Sequence, residues 1–363
     1  MVADPPTPEV YPPYPGTWQE FCSWFVDEQA CATFLERLRW PNGVRCPKCE
    51  QGKGWRTADG RWACSGCGRK VSVTAGTIFD RSRISLQEWF AAAWYMTNQK
   101  HGVSALGLQR LLGLGSYQTA WTILQKLRTA MVRPGRDRLH GSVEVDETYV
   151  GGIEHGVRGR GTETKFIVVI AIEVLSPKGF GRVRMQRVDD VSGACLVPFV
   201  YAAVESGTEV RTDGWRGYYG LSEKKYRHQR INLSSSGDPA HVSMPGVHRI
   251  ASLLKRWLLG THQGSVTAAH LDAYLNEFTF RFNRRHSRRR GLLFLRLLQH
   301  AVVTQPTRYR PSRSLDKDGK TQPVGGTVLR QLPHMKDFSN LAAKQRVIHV
   351  LLNDSHLRLA GHG

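Results

Sequence analysis

The chain has 363 residues, enough for two or three domains with a sizeable core. Its 51 Lys and Arg outnumber 30 Asp and Glu, giving a net charge of +21 and a pI near 10.0. That balance points to a polyanionic partner, and nucleic acid is a commoner target of dispersed basic charge than a membrane. The longest apolar run, around Phe166 to Leu175, is broken by Glu173 and is about half the length a bilayer requires, so a transmembrane span is excluded. The start, Met-Val-Ala-Asp-Pro-Pro, lacks the basic and apolar stretches of a signal peptide. Seven cysteines, four of them in two Cys-x2-Cys pairs, fit a reducing cytoplasm better than a disulfide framework.

Residues 1–17 are rich in proline and read as a flexible leader. Residues 18–80 read as an N-terminal helical stretch followed by a metal-binding ribbon. Trp18, Phe21, Trp24, Phe25 and Phe34 recur at helical spacing. Cys46-Pro-Lys-Cys49 is separated by fourteen residues from Cys64-Ser-Gly-Cys67. Two intervening residues let both thiolates of a tight turn reach one ion, and two such turns complete a tetrahedral site. Four thiolates favour zinc or an iron–sulfur centre, and with no open position the site is structural. Gly66 and Gly68 give the second turn its backbone freedom. Cys22, Cys31 and Cys195 lie in apolar stretches and read as small core residues.

Residues 84–133 form a helical segment. Ile84 to Gln99 places Leu86, Trp89, Phe90, Ala93 and Trp94 on one face. Ser104 is positioned to cap a helix over Ala105–Leu112, and Ser116 one over Tyr117–Val132. Gly113 and Gly115 lie between them, a pattern compatible with a helix-turn-helix. In that reading Ser116, Tyr117, Gln118 and Thr119 open the second helix and face base edges. Plain helix packing is the alternative.

Residues 140–298 change to strands. Ser142–Val150, Lys165–Leu175 and Gly181–Val188 are rich in β-branched residues. An apolar helix over Gly193–Glu205 precedes a fourth strand at Glu209–Thr212, and helical patterns follow at 247–260 and 268–285. The order predicts an α/β domain with a mixed sheet covered by helices. The tail, 299–363, has weak periodicity and one helical stretch, Leu341 to Leu352. No role is assigned to it.

Polar residues with catalytic potential fall on this framework. Asp146 lies within the first of these strands, where alternation puts it on the face of Glu144 and opposite Glu147. Asp213 ends the fourth strand, before Gly214, where α/β sheets place ligand-binding groups. His248 follows 35 residues later, and Lys255 lies seven beyond it on the same helix face, about 10.5 Å along the axis. Carboxylates so placed suit two divalent ions, which provide charge neutralisation for phosphodiester transfer. Taken singly, each residue also has a structural reading, as turn former, helix start or solvated face.

The segments VEVDETYVGG (143–152), TDGWRGY (212–218), VHRIASLLKRWLLGTHQG (247–264) and HLDAYLNEFTFRFNRR (270–285) resemble the zinc-ribbon transposases of bacterial insertion sequences. LRWPNGVRCPKC (38–49) is similar to their zinc-ribbon entry. The likeness spans about 18–298, with its motifs in the family's order. It implies a small zinc ribbon and a helical segment ahead of a ribonuclease H-like catalytic domain. It also implies DDE-type chemistry: divalent-metal cleavage at element ends, then joining of 3′-hydroxyl ends to target DNA. By the resemblance Asp146 and Asp213 are the first two metal-binding carboxylates, with Mg2+ or Mn2+ as the catalytic ion. His248 stands where the third acidic residue usually lies, and Lys255 matches the basic residue seven positions on. Imidazole is a softer, uncharged ligand, so either His248 ligates or orients metal-bound water, or the site is weak or dead. Glu144 and Asp190 are the reserve carboxylates.

The partner so implied is double-stranded DNA, both terminal inverted repeats and target, bound by at least a dimer in the cytoplasm, with no membrane association. Arg281, Arg284, Arg285, Arg288, Arg289 and Arg290 crowd ten positions with Phe280, Phe282 and His286, and such density predicts phosphate contacts. Arg256, beside Lys255, is expected on the same DNA path. Trp215, Tyr218 and Tyr219 offer rings for an unpaired base, or for the core. Two rival readings stay open: a metal-dependent nuclease of the same fold, and a transposase-derived DNA-binding protein without catalysis.

Overall fold

A computed structural model describes residues 13–132, 135–151, 165–177, 179–221, 225–231, 240–264, 266–306, 314–315 and 321–322. Most of the predicted leader, and the helical stretch expected at Leu341 to Leu352, lie outside the described residues. The chain divides into two units. One comprises 1–92, 105–126 and 301–363, and the other 93–104 and 127–300.

In the first unit, the aromatic stretch expected over 18–40 is two helices, α1 (Trp18–Trp24) and α2 (Glu28–Arg39). The break has a local cause. Asp27 adopts an extended backbone and its carboxylate accepts the Ala30 N–H at 2.7 Å, capping a new helix. Phe25 packs edge-on against Phe34 and Phe90, with centroids 5.1 and 4.9 Å away. A three-stranded antiparallel ribbon follows: β1 (Gly54–Arg56), β2 (Trp62–Cys64) and β3 (Lys70–Val71). Arg39 ties α2 to the segment after the ribbon, donating to the carbonyls of Ser72, Val73 and Ala75. Helix α3 spans Leu86–Asn98, and Glu28 accepts its first N–H, from Leu86, at 2.8 Å.

Helices α4 (Ala105–Leu112) and α5 (Tyr117–Ala130) match the expected pair. Gly113, at φ +60°, ends α4. Ser116 caps α5 by accepting the Thr119 N–H at 3.1 Å. A short ladder, β9 (Ser314–Leu315) with β10 (Thr321–Gln322), also belongs to this unit.

The second unit is built on β4 (Ser142–Val150), β5 (Phe166–Val174), β6 (Phe180–Val188), β7 (Glu209–Asp213) and β8 (Arg227–Ile231). Their spatial order is β6-β5-β4-β7-β8. The first three form an antiparallel meander, whereas β7 runs parallel to β4 and β8 parallel to β7. Such a mixed sheet needs covering on both faces. On one face Val143, Val145, Val169 and Ala171 pack against Leu196, Phe199 and Val200 of α6 (Gly193–Ala203). On the other, Ile170, Ile172 and Val183 pack against two helices that follow the short α7 (Ala240–Ser243). These are α8 (Pro245–His262), through Val247, Ile250 and Leu254, and α9 (Ala268–Phe282), through Leu271 and Tyr274. Helix α10 (Arg290–Ala301) follows.

Among the described residues β8, α10, the short α7 and the β9–β10 ladder went unpredicted. Strand β8, Arg-His-Gln-Arg-Ile, has no apolar alternation because it lies at the sheet edge and is largely exposed. Helix α10 begins inside the arginine run. A buried ion cluster also lies in this unit: Glu277, fully buried, pairs with Arg128 at 2.7 Å and Arg281 at 3.1 Å.

Candidate functional site

The parallel ladder of β4 and β7 sets the two aspartates side by side. Glu144 pairs with Arg211 and Val145 with Thr212, where the ladder ends. One step further along each strand stand Asp146 and Asp213. Neighbouring strands lie roughly 4.8 Å apart. Matched residues of a parallel pair project to one face, and Val143, Val145 and Val210 occupy the α6 core. Asp146 and Asp213 therefore belong to the opposite face, that of α8. Asp213 accepts the Trp215 N–H at 3.0 Å, and Asp146 accepts the Glu147 N–H at 2.8 Å.

Helix α8 is fixed to that face by Glu144. Its buried carboxylate accepts the N–H groups of Gly246 at 2.7 Å and Val247 at 3.1 Å, two donors that a helix start leaves unmatched. Arg211 stands 3.6 Å from the same carboxylate and donates to the Ser243 carbonyl. Burial outweighs these partners and pushes the Glu144 carboxyl above its ordinary range. Gly246 is obligatory here, since a Cβ would lie 2.8 Å from Glu144 Oε2 and 3.0 Å from Ile172. The next residue after Val247 is His248.

A cavity of about 400 Å³ results, lined by Asp146, Thr148, Ile170, His248, Ser252 and Lys255 among others. Three of the four predicted site residues thus share one cavity. Asp213 is not among its lining residues and joins the group through its place beside Asp146 on the sheet. Partial burial, and then Lys165, lower the Lys255 ammonium from its usual value. Behind the aspartates Tyr218 is fully buried and donates to Glu147 at 3.1 Å. Burial, then the charges of Glu147, Asp146 and Asp213, keep its hydroxyl protonated far above the usual phenol range. Carboxylates gathered in a chain of net charge +21 are a donor set for a hard dication. Among the described residues, the cysteine cluster alone gathers three or more His, Cys, Asp or Glu ligand atoms within reach of one ion, so Asp146, Asp213 and His248 offer donors of the right chemistry without a closed ligand set.

In the other unit the four cysteine sulfurs lie within 4.8 Å of one another. Cys46 and Cys67 approach to 3.5 Å, and Cys49 and Cys64 to 3.4 Å. Thiolates arranged tetrahedrally about zinc, with bonds near 2.3 Å, would stand roughly 3.8 Å apart. Each turn ends in the left-handed region, at Glu50 (φ +59°) and Gly68 (φ +69°). The Lys48 N–H points to the Cys46 sulfur at 3.4 Å. The cluster fits one structural zinc ion.

Comparison with known proteins agrees with both centres. Residues 138–283 match the ISXO2-like transposase domain, and residues 26–70 the transposase zinc-ribbon domain. The chain belongs to the IS1595-type transposases. A protein of transposable element ISH50 from Halobacterium salinarum is 28% identical over 276 residues, which cover 71% of this chain and 91% of that protein. A transposase-like protein of Haemophilus influenzae is 27% identical over 116 residues, 32% of this chain and 93% of that protein. This transposase is accordingly a DNA-binding, DNA-modifying enzyme with a zinc-ribbon domain.

The remaining predicted residues of the transposase divide by exposure. Ser116, Tyr117 and Gln118 are exposed at the start of α5, and Arg256 and Arg288 are exposed as well. Arg281 departs from expectation. Its guanidinium is 15% exposed, pairs with Glu277 and donates to the Gln99 carbonyl, so its charge serves the interior. Arg284 stacks on Phe280 at 4.1 Å and Arg285 on Phe282 at 3.9 Å, and Arg285 also donates to the Phe180 and Gly181 carbonyls. Both are half-buried. Of the three candidate stacking rings, Tyr218 is core, Trp215 packs on the core and donates to the Val191 carbonyl, and Tyr219 is 54% exposed with Arg230 over its ring. Among the described residues no helix is long and apolar enough to cross a membrane.

The two reserve carboxylates have other work. Glu144 holds α8, and Asp190, exposed, accepts the Ser192 N–H ahead of α6. Sequence reasoning missed the first of these because the bond joins residues 102 positions apart.

Proposed function

We propose that this protein is a DDE-type transposase whose reaction centre is Asp146, Asp213 and His248, with Lys255 as its DNA-holding cation. The carrying observation is the place of Asp146 and Asp213, each one residue beyond the last paired position of the parallel strands β4 and β7, with His248 and Lys255 lining the cavity of Asp146. Asp146, Asp213 and His248 would hold magnesium or manganese, which supplies charge neutralisation at the phosphate and activation of the attacking oxygen. In cleavage, water attacks phosphorus and a 3′-hydroxyl leaves. In joining, that 3′-hydroxyl attacks a target phosphodiester. One P–O bond forms as one breaks, so no external energy source is needed. The chain's own part is positioning. The sheet fixes both aspartates, the start of α8 fixes His248, and Lys255 reaches a phosphate about two turns along.

End recognition falls to Ser116, Tyr117 and Gln118 at the start of α5, and general phosphate contact to Arg256, Arg284, Arg285 and Arg288. Cutting and joining two ends calls for at least a dimer on double-stranded DNA, acting in the cytoplasm on the nucleoid.

The test is a joining assay with a labelled element end, a target plasmid and Mg2+ or Mn2+, run beside Asp146→Ala. Joined product from the parent protein alone is expected, with the variant still binding DNA. Cleavage without joining would make the protein a nuclease. Binding without either reaction, in both metals, would leave only the DNA-binding function.

A further inference from the structure

A second cavity of the α/β unit, about 330 Å³, is lined by Arg136, Arg182, Arg184, Arg284, Arg296 and His300, with Asp137 the acid among its lining residues. It shares no residue with the cavity of Asp146 and His248. It is formed by β6, the end of α9, α10 and the segment before β4. Val183 and Met185 pack into the α8–α9 core, so Arg182 and Arg184 project from the other face of edge strand β6.

Bonds to neutral oxygens help to orient three of these guanidinium groups. Arg184 is 6% exposed and donates to the carbonyls of Val183 at 3.0 Å and Asp137 at 2.6 Å. Arg284 donates to the Phe280 carbonyl while stacked on its ring, and Arg296 donates to Gln299 Oε1 at 3.2 Å. The two carbonyls aim Arg184 without cancelling its charge. Arg182 differs, being paired with Glu173 at 2.7 Å, whereas Asp137 is largely in solvent and 3.9 Å away. Burial, then repulsion from Arg136 and Arg182, bring Arg184 down to about 10. Like charges converge here on a space worth about eleven waters at ~30 Å³ each. A phosphate group, with several acceptor oxygens and a negative charge, matches such planar donors.

We propose that this arginine-lined cavity is a second phosphate-binding site, which takes a backbone phosphate of bound DNA away from the reacting phosphodiester. The choice of DNA as the phosphate's source rests on the transposase reading, but the anion chemistry does not.

Two binding measurements on the full zinc-loaded chain test this. The first is the salt dependence of affinity for duplex DNA. Removing one phosphate contact lowers the slope of log K against log salt by about 0.9. Arg136→Gln combined with Arg296→Gln should lower it by about that much, whereas Arg296→Lys, and Arg227→Gln on the exposed β8, should keep the parent slope. Cleavage by fully bound complexes should be unchanged. The second is the rise in unfolding temperature with inorganic pyrophosphate, expected in the parent and Lys variant and lost in the double variant. Should the double variant not fold, Arg296→Gln alone carries both measurements. A pyrophosphate effect lost with an unchanged DNA slope would assign the cavity to free phosphates and overturn the DNA source. Both quantities unchanged would overturn the site. Neither measurement needs joining activity, so failure here is distinct from failure of the transposition reading.

Discussion

Glu144→Ala probes how the sheet mounts the helix that carries His248. The substitution removes a fully buried acceptor that takes the Gly246 and Val247 N–H groups. Each buried donor left unmatched costs about 1–3 kcal/mol, or roughly 2–6 for the pair. Part returns, because a carboxylate held at an energetic disadvantage by burial is gone. A net loss of about 3 kcal/mol is expected, which for a unit of this size lowers Tm by roughly 6–12 °C. Glu144→Gln keeps an oxygen in place and trades charge-assisted bonds for neutral ones, at about 1 kcal/mol. The assay pairs calorimetry with metal-dependent cleavage. A positioning role requires that Gln retain most of the rate with an unchanged Mg2+ requirement, while Ala loses both stability and rate. Equal activity of the Ala variant at full stability would refute the reasoning, and a Gln variant inactive at normal stability would make Glu144 a metal ligand instead.

Other consequences are direct. Zinc removal by a chelator should release ~1 ion per chain and abolish hydrogen-exchange protection in β1–β3, while β4, β5 and β7 stay protected. Glu277→Gln should cost about 3–5 kcal/mol, measured by urea unfolding, because Arg128 would remain buried without its counter-charge. Combined with Arg128→Met it should cost less than the sum of the singles. Glu173 is titrated by opposing effects: burial works against its charge, but Arg182 and the His140 N–H overcome it and hold the carboxyl below its ordinary 4.5. Its contribution is therefore full above that value and lost as pH falls through the lower folded one. Glu173→Gln should flatten the decline in stability on acidification below about pH 4.5, and a parental pH profile in the variant would contradict the assignment.

Legibility in the sequence followed distance along the chain. The cysteine cluster was readable because spacing within each turn determines what its thiolates can reach. Strand β4 and helix α4 matched their predicted ends, since alternation and Ser or Gly boundary signals are local. The new start at Asp27 was equally local, and the signal was there in Asp-Glu-Gln before an apolar run. Asp146 beside Asp213 depends on a register between strands over sixty residues apart, for which the sequence carries no local mark. Arg281 shows the opposite error. Glu277 lies one helical turn before it, a pairing visible in the sequence, yet the surrounding arginines suggested a surface role.

The bolt that holds α8 is at Glu144, Gly246 and Val247, and the side chain offered to the cavity comes from the next position. Mount and tool are thus separate parts. Changing residue 248 leaves the mount untouched, so Glu or Asn in place of His248 is expected to keep the scaffold at similar stability, which thermal unfolding of the two variants would check. If residue 248 holds the metal as proposed, metal preference is adjustable by one codon, while the positions that look merely structural are the ones where exchange disturbs the helix.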